Sequence, residues 1–133
     1  MTYREKSAAA SIAAILLGYG LYAVRLLGAP LTSFHAVAAL IGSTILVVII
    51  LIPIHVVFTI KARPEAVDER DRIVGLRSVR NGYYVLAACL WGVAMLALTG
   101  RPPVLLAYAL VAGFAVAEVV RYASQLIYYR TGL

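Results

Sequence analysis

The sequence predicts an all-α integral membrane fold, an antiparallel four-helix transmembrane bundle whose third helix extends into the cytoplasm. Three observations predict it. Apolar residues make up 63% of the 133 residues and charged ones 14%, at a mean hydropathy of +0.92; soluble domains run at roughly 45–50% and 25%. Four spans follow in order, 8–27, 34–60, 73–99 and 104–129, the third apolar mainly from Tyr83 onward. A helix needs ~20 residues to cross ~30 Å of hydrocarbon. Finally, basic residues gather in alternate connecting segments. Nearly all of the chain is span, so a single transmembrane domain, 1–133, accounts for it.

The charges set the orientation. Arg4 and Lys6 precede the first span, Lys61, Arg63, Arg70, Arg72, Arg77 and Arg80 surround the central connection, and Arg130 follows the last span. The other side carries Arg25 and Arg101, and Arg121 lies within the fourth span. Retention of Lys and Arg in the cytoplasm depends on their number rather than on net charge. Acidic Glu65, Asp68, Glu69 and Asp71 therefore leave the reading unchanged: a multi-pass protein of the inner (cytoplasmic) membrane with both termini cytoplasmic. The net charge of +6 also suits contact with anionic membrane lipid. No soluble basic face remains for direct nucleic-acid binding.

The first span begins like a signal peptide, but its apolar run exceeds the ~7–15 residues of one and no small-x-small cleavage site follows. It is expected to be a retained helix. The turn from Gly28 to Ser33 is short, and Thr32 or Ser33 suits the cap of the second helix. Pro53 removes one hydrogen bond late in the second span, a feature that membrane helices tolerate. In the charged segment 61–72, Pro64 suits a first helical turn and the acids behind it suit the helix dipole. The third helix is therefore expected to start near Glu65, with Asp68–Arg72 and Glu69–Arg72 pairs on its surface. Cys89 is the only cysteine, which excludes an intrachain disulfide and fits a small hydrophobe in the third span. Gly100 stops that helix, and Pro102 and Pro103 start the fourth. Ala10, Ala14 and Gly18 recur every four residues in the first span, as do Ala109, Gly113 and Ala117 in the fourth. Such small faces let helix backbones approach in lipid, within one chain or in a homo-oligomer.

Glu118 is the strongest chemical signal. A carboxylate inside an apolar helix is expensive and faces protein or a wet cavity. Arg121 stands on the same helix face. Arg77, Arg80, Asn81 and Tyr84 of the third helix, His55 of the second, and Tyr122 and Gln125 of the fourth occur at similar depth. These nine residues form a candidate intramembrane polar cluster. It is either a structural network around a neutralised Glu118, the favoured alternative because buried charges are normally paired, or a polar cavity open to the cytoplasm. His35 faces the outer side, where a lone interfacial histidine is mostly incidental. The acids at Glu65, Asp68, Glu69 and Asp71 match no metal-site spacing and are interleaved with cations, so no metal is expected. No catalytic motif and no cofactor-binding motif is present.

The stretch Asp68-Glu69-Arg70-Asp71-Arg72-Ile73, followed by Arg80-Asn81-Gly82-Tyr83-Tyr84, resembles a family of small bacterial four-helix membrane proteins of unknown function. These carry an Asp-Glu-Arg-Asp segment between their second and third helices. Glu118, Arg121 and Tyr122 resemble that family's Glu and following Arg-Tyr late in the last helix. The resemblance covers mainly the second half of the chain. Members are encoded beside small helix-turn-helix regulators, so the resemblance implies a protein partner of that regulatory kind at the membrane. It implies no catalytic residues.

The leading functional expectation is a non-enzymatic, regulatory or partner-binding membrane module that docks through the charged segment, with Glu65, Asp68, Glu69, Arg70, Asp71 and Arg72 as its contact residues. The alternative is a small proton- or cation-coupled transporter or channel subunit using Glu118. Four-helix multidrug exporters are similar in length but place their glutamate in the first helix. A weaker third reading is a four-helix enzyme of the glutathione and eicosanoid class, matched loosely by Arg77, Asn81, Tyr84, Arg121 and Tyr122.

Overall fold

The computed structural model describes residues 3–27, 33–61 and 68–132. Among them are four helices and no strand: α1 (Tyr3–Leu27), α2 (Ser33–Lys61), α3 (Glu69–Ala97) and α4 (Pro103–Thr131). Local chemistry sets the boundaries of the second hairpin. Asp68 has an extended backbone (φ −68°, ψ 147°), and its carbonyl accepts hydrogen bonds from the amides of Asp71 (2.9 Å) and Arg72 (3.3 Å). Glu69 and Asp71 occupy the first turn of α3, where the helix dipole favours acids. Here the structure corrects the expected start near Glu65. Asp68 occupies the N-cap position through its backbone, without a side-chain cap hydrogen bond, and α3 begins at Glu69. Gly100 ends the hairpin's first arm at φ +71°, and the Pro102 carbonyl accepts the amides of Leu105 and Leu106 as α4 opens. Gly132 closes α4 in the left-handed conformation.

The substantial interfaces are α3 on α4, α1 on α2, and α1 on α4. The helices therefore lie in the spatial order α2–α1–α4–α3, with the two hairpins joined through their inner members. Small residues allow this. Ala8, Ser11, Ala14, Ile15, Gly18 and Tyr22 form the buried stripe of α1. A Cβ at Gly18 would collide with the Val47 side chain of α2. Tyr22 meets Tyr108 of α4 edge-on, with ring centroids 5.8 Å apart. On the other side of α4, Gly113 faces Cys89, whose Cβ lies 2.8 Å from the place where a Gly113 Cβ would sit. Ala117 and Arg121 close over Gly82. Residue numbers rise on α3 as they fall on α4 along this seam, so the hairpin is antiparallel.

Among the described residues, two helices are long and apolar enough to cross a membrane, α1 over Glu5–Val24 and α4 over its whole length. Within α2 the described side chains give a shorter apolar stretch, Thr44–Ile54. The bundle's exterior is strongly apolar: Leu17, Ile49, Leu76, Trp91 and Leu98 are all exposed.

Candidate functional site

The α3 face that meets α4 is built from small groups. Val74 (1% exposed), Ser78 (2% exposed) and Gly82 are buried there, and the Ser78 hydroxyl donates back to the Gly75 carbonyl at 2.8 Å. Because this face is narrow, polar side chains from α4 can lie against it. Asn81 is the link between the helices: its amide nitrogen donates to Ser124 Oγ at 3.2 Å and to Tyr128 Oη at 2.9 Å. Asn81→Leu removes both bonds and leaves two part-buried hydroxyls without that donor. At ~0.5–1.5 kcal/mol per net bond, a loss of about 1–3 kcal/mol is expected in a denaturant titration of the detergent-solubilised protein.

Glu118 pairs with Arg121, the residue three positions on. Arg121 Nη1 lies 3.3 Å from Oε2 and 3.5 Å from Oε1. The side chains are 26% and 39% exposed respectively, so the pair is not sealed in the bundle. The Arg121 guanidinium also sits 5.3 Å from the centroid of the Tyr122 ring. The pair lines a groove of about 190 Å³ between α3 and α4, shared with Val79, Tyr83 and Leu86 of α3 and Phe114 of α4. From α1, Tyr19 lies close enough to Glu118 to feel its charge.

The nine residues expected to form one cluster fall into separate groups. Glu118, Arg121 and Tyr122 stay together. Asn81 joins α4 one turn further along, with Ser124 and Tyr128 rather than with Glu118. Gln125 is half-buried at the level of Ser124 and Tyr128. Arg77, Arg80 and Tyr84 are exposed, and among the described residues Arg121 is the ion-pair partner of Glu118 instead. The cause is helical geometry: at ~100° per residue, Arg80 lies largely opposite the packed stripe of Val74, Ser78 and Gly82, and Arg77 and Tyr84 lie on its flank. The side chain of His55 lies outside the described residues, and α2 packs on α1.

Sequence reasoning missed Ser124, Tyr128 and Tyr19. The first two carried a legible signal, because i and i+4 polar residues on α4 stand opposite Asn81 in an antiparallel hairpin. Tyr19 did not, because its placement depends on α1 packing directly against α4. Glu5, buried at the start of α1, was missed as well.

In the charged segment, Asp68, Glu69, Arg70 and Arg72 are exposed and Asp71 is half-buried; Glu65 lies outside the described residues. The expected Asp68–Arg72 and Glu69–Arg72 ion pairs do not form. Asp68 precedes the first helical turn, so its side chain is off the i, i+4 ladder, and an exposed pair such as Glu69–Arg72 gains only ~0–1 kcal/mol. Comparison of the chain with protein-family models, with curated proteins and with solved structures found no match.

Proposed function

We propose that the chain is a non-enzymatic module of a bacterial inner membrane, with four spans and both termini in the cytoplasm, that binds a protein partner through the charged start of α3. The observation that carries this reading is the contrast between Asp68–Arg72, a run of mixed charge exposed except at half-buried Asp71, and an exterior that is otherwise dominated by exposed apolar side chains. Monomeric soluble proteins rarely expose contiguous apolar patches beyond a few hundred Å², so lipid is the natural solvent for that exterior. The uncharged run 34–60 in the sequence supports α2 as a span beside α1 and α4. The hairpin with α4 supports α3 as the fourth. Mixed exposed charge favours specific encounter over tight burial, as a reversible regulatory contact requires. A small helix-turn-helix regulator is the partner class that the sequence resemblance implies.

The test is site-specific photocrosslinking in intact cells from Arg72, with and without Asp68→Lys and Glu69→Lys. Asp71 is left unchanged because it is half-buried and engaged in an interaction of its own. A single defined adduct that disappears in the charge-reversed protein, with helix content and detergent stability unchanged, is the expected result. An adduct pattern indifferent to the reversal would sink the docking reading. The transporter alternative draws on one observation, the open groove beside Glu118, and is tested by the Glu118 variant discussed below.

A further inference from the structure

On the proposed membrane reading, we infer that the outward face of α3 is a binding site for an anionic phospholipid, with Arg77 and Arg80 holding its phosphate and Tyr84 and Trp91 flanking its glycerol and acyl region. Three observations carry this. First, positions 77, 80, 84 and 91 share one side of the helix, within about a sixth of a turn at ~100° per residue. All four side chains are exposed, Tyr84 at 62% and Trp91 at 68%. Second, neither guanidinium has an ion-pair or hydrogen-bond partner among the described residues, in contrast to Arg121 on Glu118. The sequence offers no acid between Asp71 and Glu118, so α3 beyond its first turn has none. Glu69, the exposed acid of α3, lies two turns from Arg77. Third, the depth is right. The Asn81 bonds to Ser124 and Tyr128 place Arg77 and Arg80 beside the polar end of α4, at the cytoplasmic edge of the spans. From Arg80 to Trp91 the helix rises ~16 Å into the apolar part of the bundle.

The chemistry follows from that order. An unpaired guanidinium at the edge of the hydrocarbon presents a fork of donors that matches phosphate oxygens. The anionic cytoplasmic leaflet supplies such groups in excess, each basic residue adding about a five-fold preference near the surface. Tyr84, about one turn below Arg80, suits the level where an apolar ring meets a polar headgroup, and Trp91, ~16 Å below Arg80, lies beside the acyl chain. A zwitterionic lipid carries its own cation beside the phosphate and gains less from the same pair.

Trp91 is the only tryptophan in the chain, so it reports on this face alone. The protein is reconstituted in phosphatidylcholine bilayers containing a minor fraction of doxyl-labelled lipid, with the spin label low on the acyl chain. At equal mole fraction, doxyl-phosphatidylglycerol is expected to occupy the site in preference to doxyl-phosphatidylcholine and to quench Trp91 more strongly. Arg77→Gln with Arg80→Gln is expected to remove that difference while leaving quenching by phosphatidylcholine unchanged. High salt should reduce it as well, because the contact is electrostatic. Equal quenching by the two lipids in the native chain, or a difference that survives the double variant, overturns the inference. Absence of quenching by either lipid is a separate outcome: it would show that this face does not meet lipid and would overturn the membrane placement together with the site built on it.

Discussion

Gly82→Ala is expected to force α3 and α4 apart. A Cβ at that position would lie 2.9 Å from Arg121 Cβ and 3.1 Å from the Ala117 carbonyl oxygen. The second contact is with backbone, which cannot rotate away as a side-chain end can. Relief requires the helices to separate, and that loosens Asn81 from Ser124 and Tyr128, one residue away on α3. Overpacking of this kind costs about 1–3 kcal/mol and occasionally more. It opposes an intrinsic gain of ~1 kcal/mol from alanine in a helix. The control is on the same helix: nothing lies within 4 Å of a Cβ at Gly92, so Gly92→Ala should be neutral or slightly stabilising. Denaturant midpoints of the two variants in the same detergent check the prediction. Equal midpoints would mean that the close approach at Gly82 contributes nothing to stability.

The same contact shows what was legible in the sequence. Apolar run lengths, the short turns and the Gly and Pro punctuation anticipated four helices in antiparallel hairpins, with the largest boundary differences at the starts of α1 and α3. For α3, Pro64 and the acids suggested an earlier first turn, but the backbone of Asp68 is extended and α3 begins after it. The four-residue repeat of small residues in α4 correctly marked a seam, since Gly113 and Ala117 face α3. It could not name the partner face, because Gly82 and Cys89 do not form a conspicuous pattern of their own. The site was legible only by depth. Counting residues along helices placed nine polar groups in one shell, but rotation about each helix decides which of them meet. For Arg77, Arg80 and Tyr84 that rotation was fixed by the small residues Val74, Ser78 and Gly82, which claimed the interface. Long side chains at the remaining positions were left facing outward.

Glu118→Gln is expected to destabilise the protein more than the double change Glu118→Gln with Arg121→Gln. The single variant removes the carboxylate and leaves Arg121 beside a groove whose other walls include Val79, Leu86 and Phe114. Tyr122 offers the guanidinium a cation–π contact, but at ~0.5–1 kcal/mol for an exposed site this does not replace an ion pair beside a largely apolar groove. Arg121→Gln alone strands the carboxylate in the same setting. Only the double variant leaves neither charge without a partner. The size of the coupling follows from geometry. The oxygens stand 3.3 and 3.5 Å from Nη1, a loose contact, and both side chains are partly open to their surroundings. The coupling energy should thus fall at about 1–2 kcal/mol, between the ~0.2–1 kcal/mol of exposed pairs and the ~3–5 kcal/mol of breaking a fully buried one. A double-mutant cycle read by denaturant titration measures it directly. Strict additivity of the two single changes would show that the pair does not act as a pair. A Glu118→Gln protein of native stability that loses proton-coupled flux in liposomes would assign the carboxylate to transport, and the alternative function would then replace the proposed one.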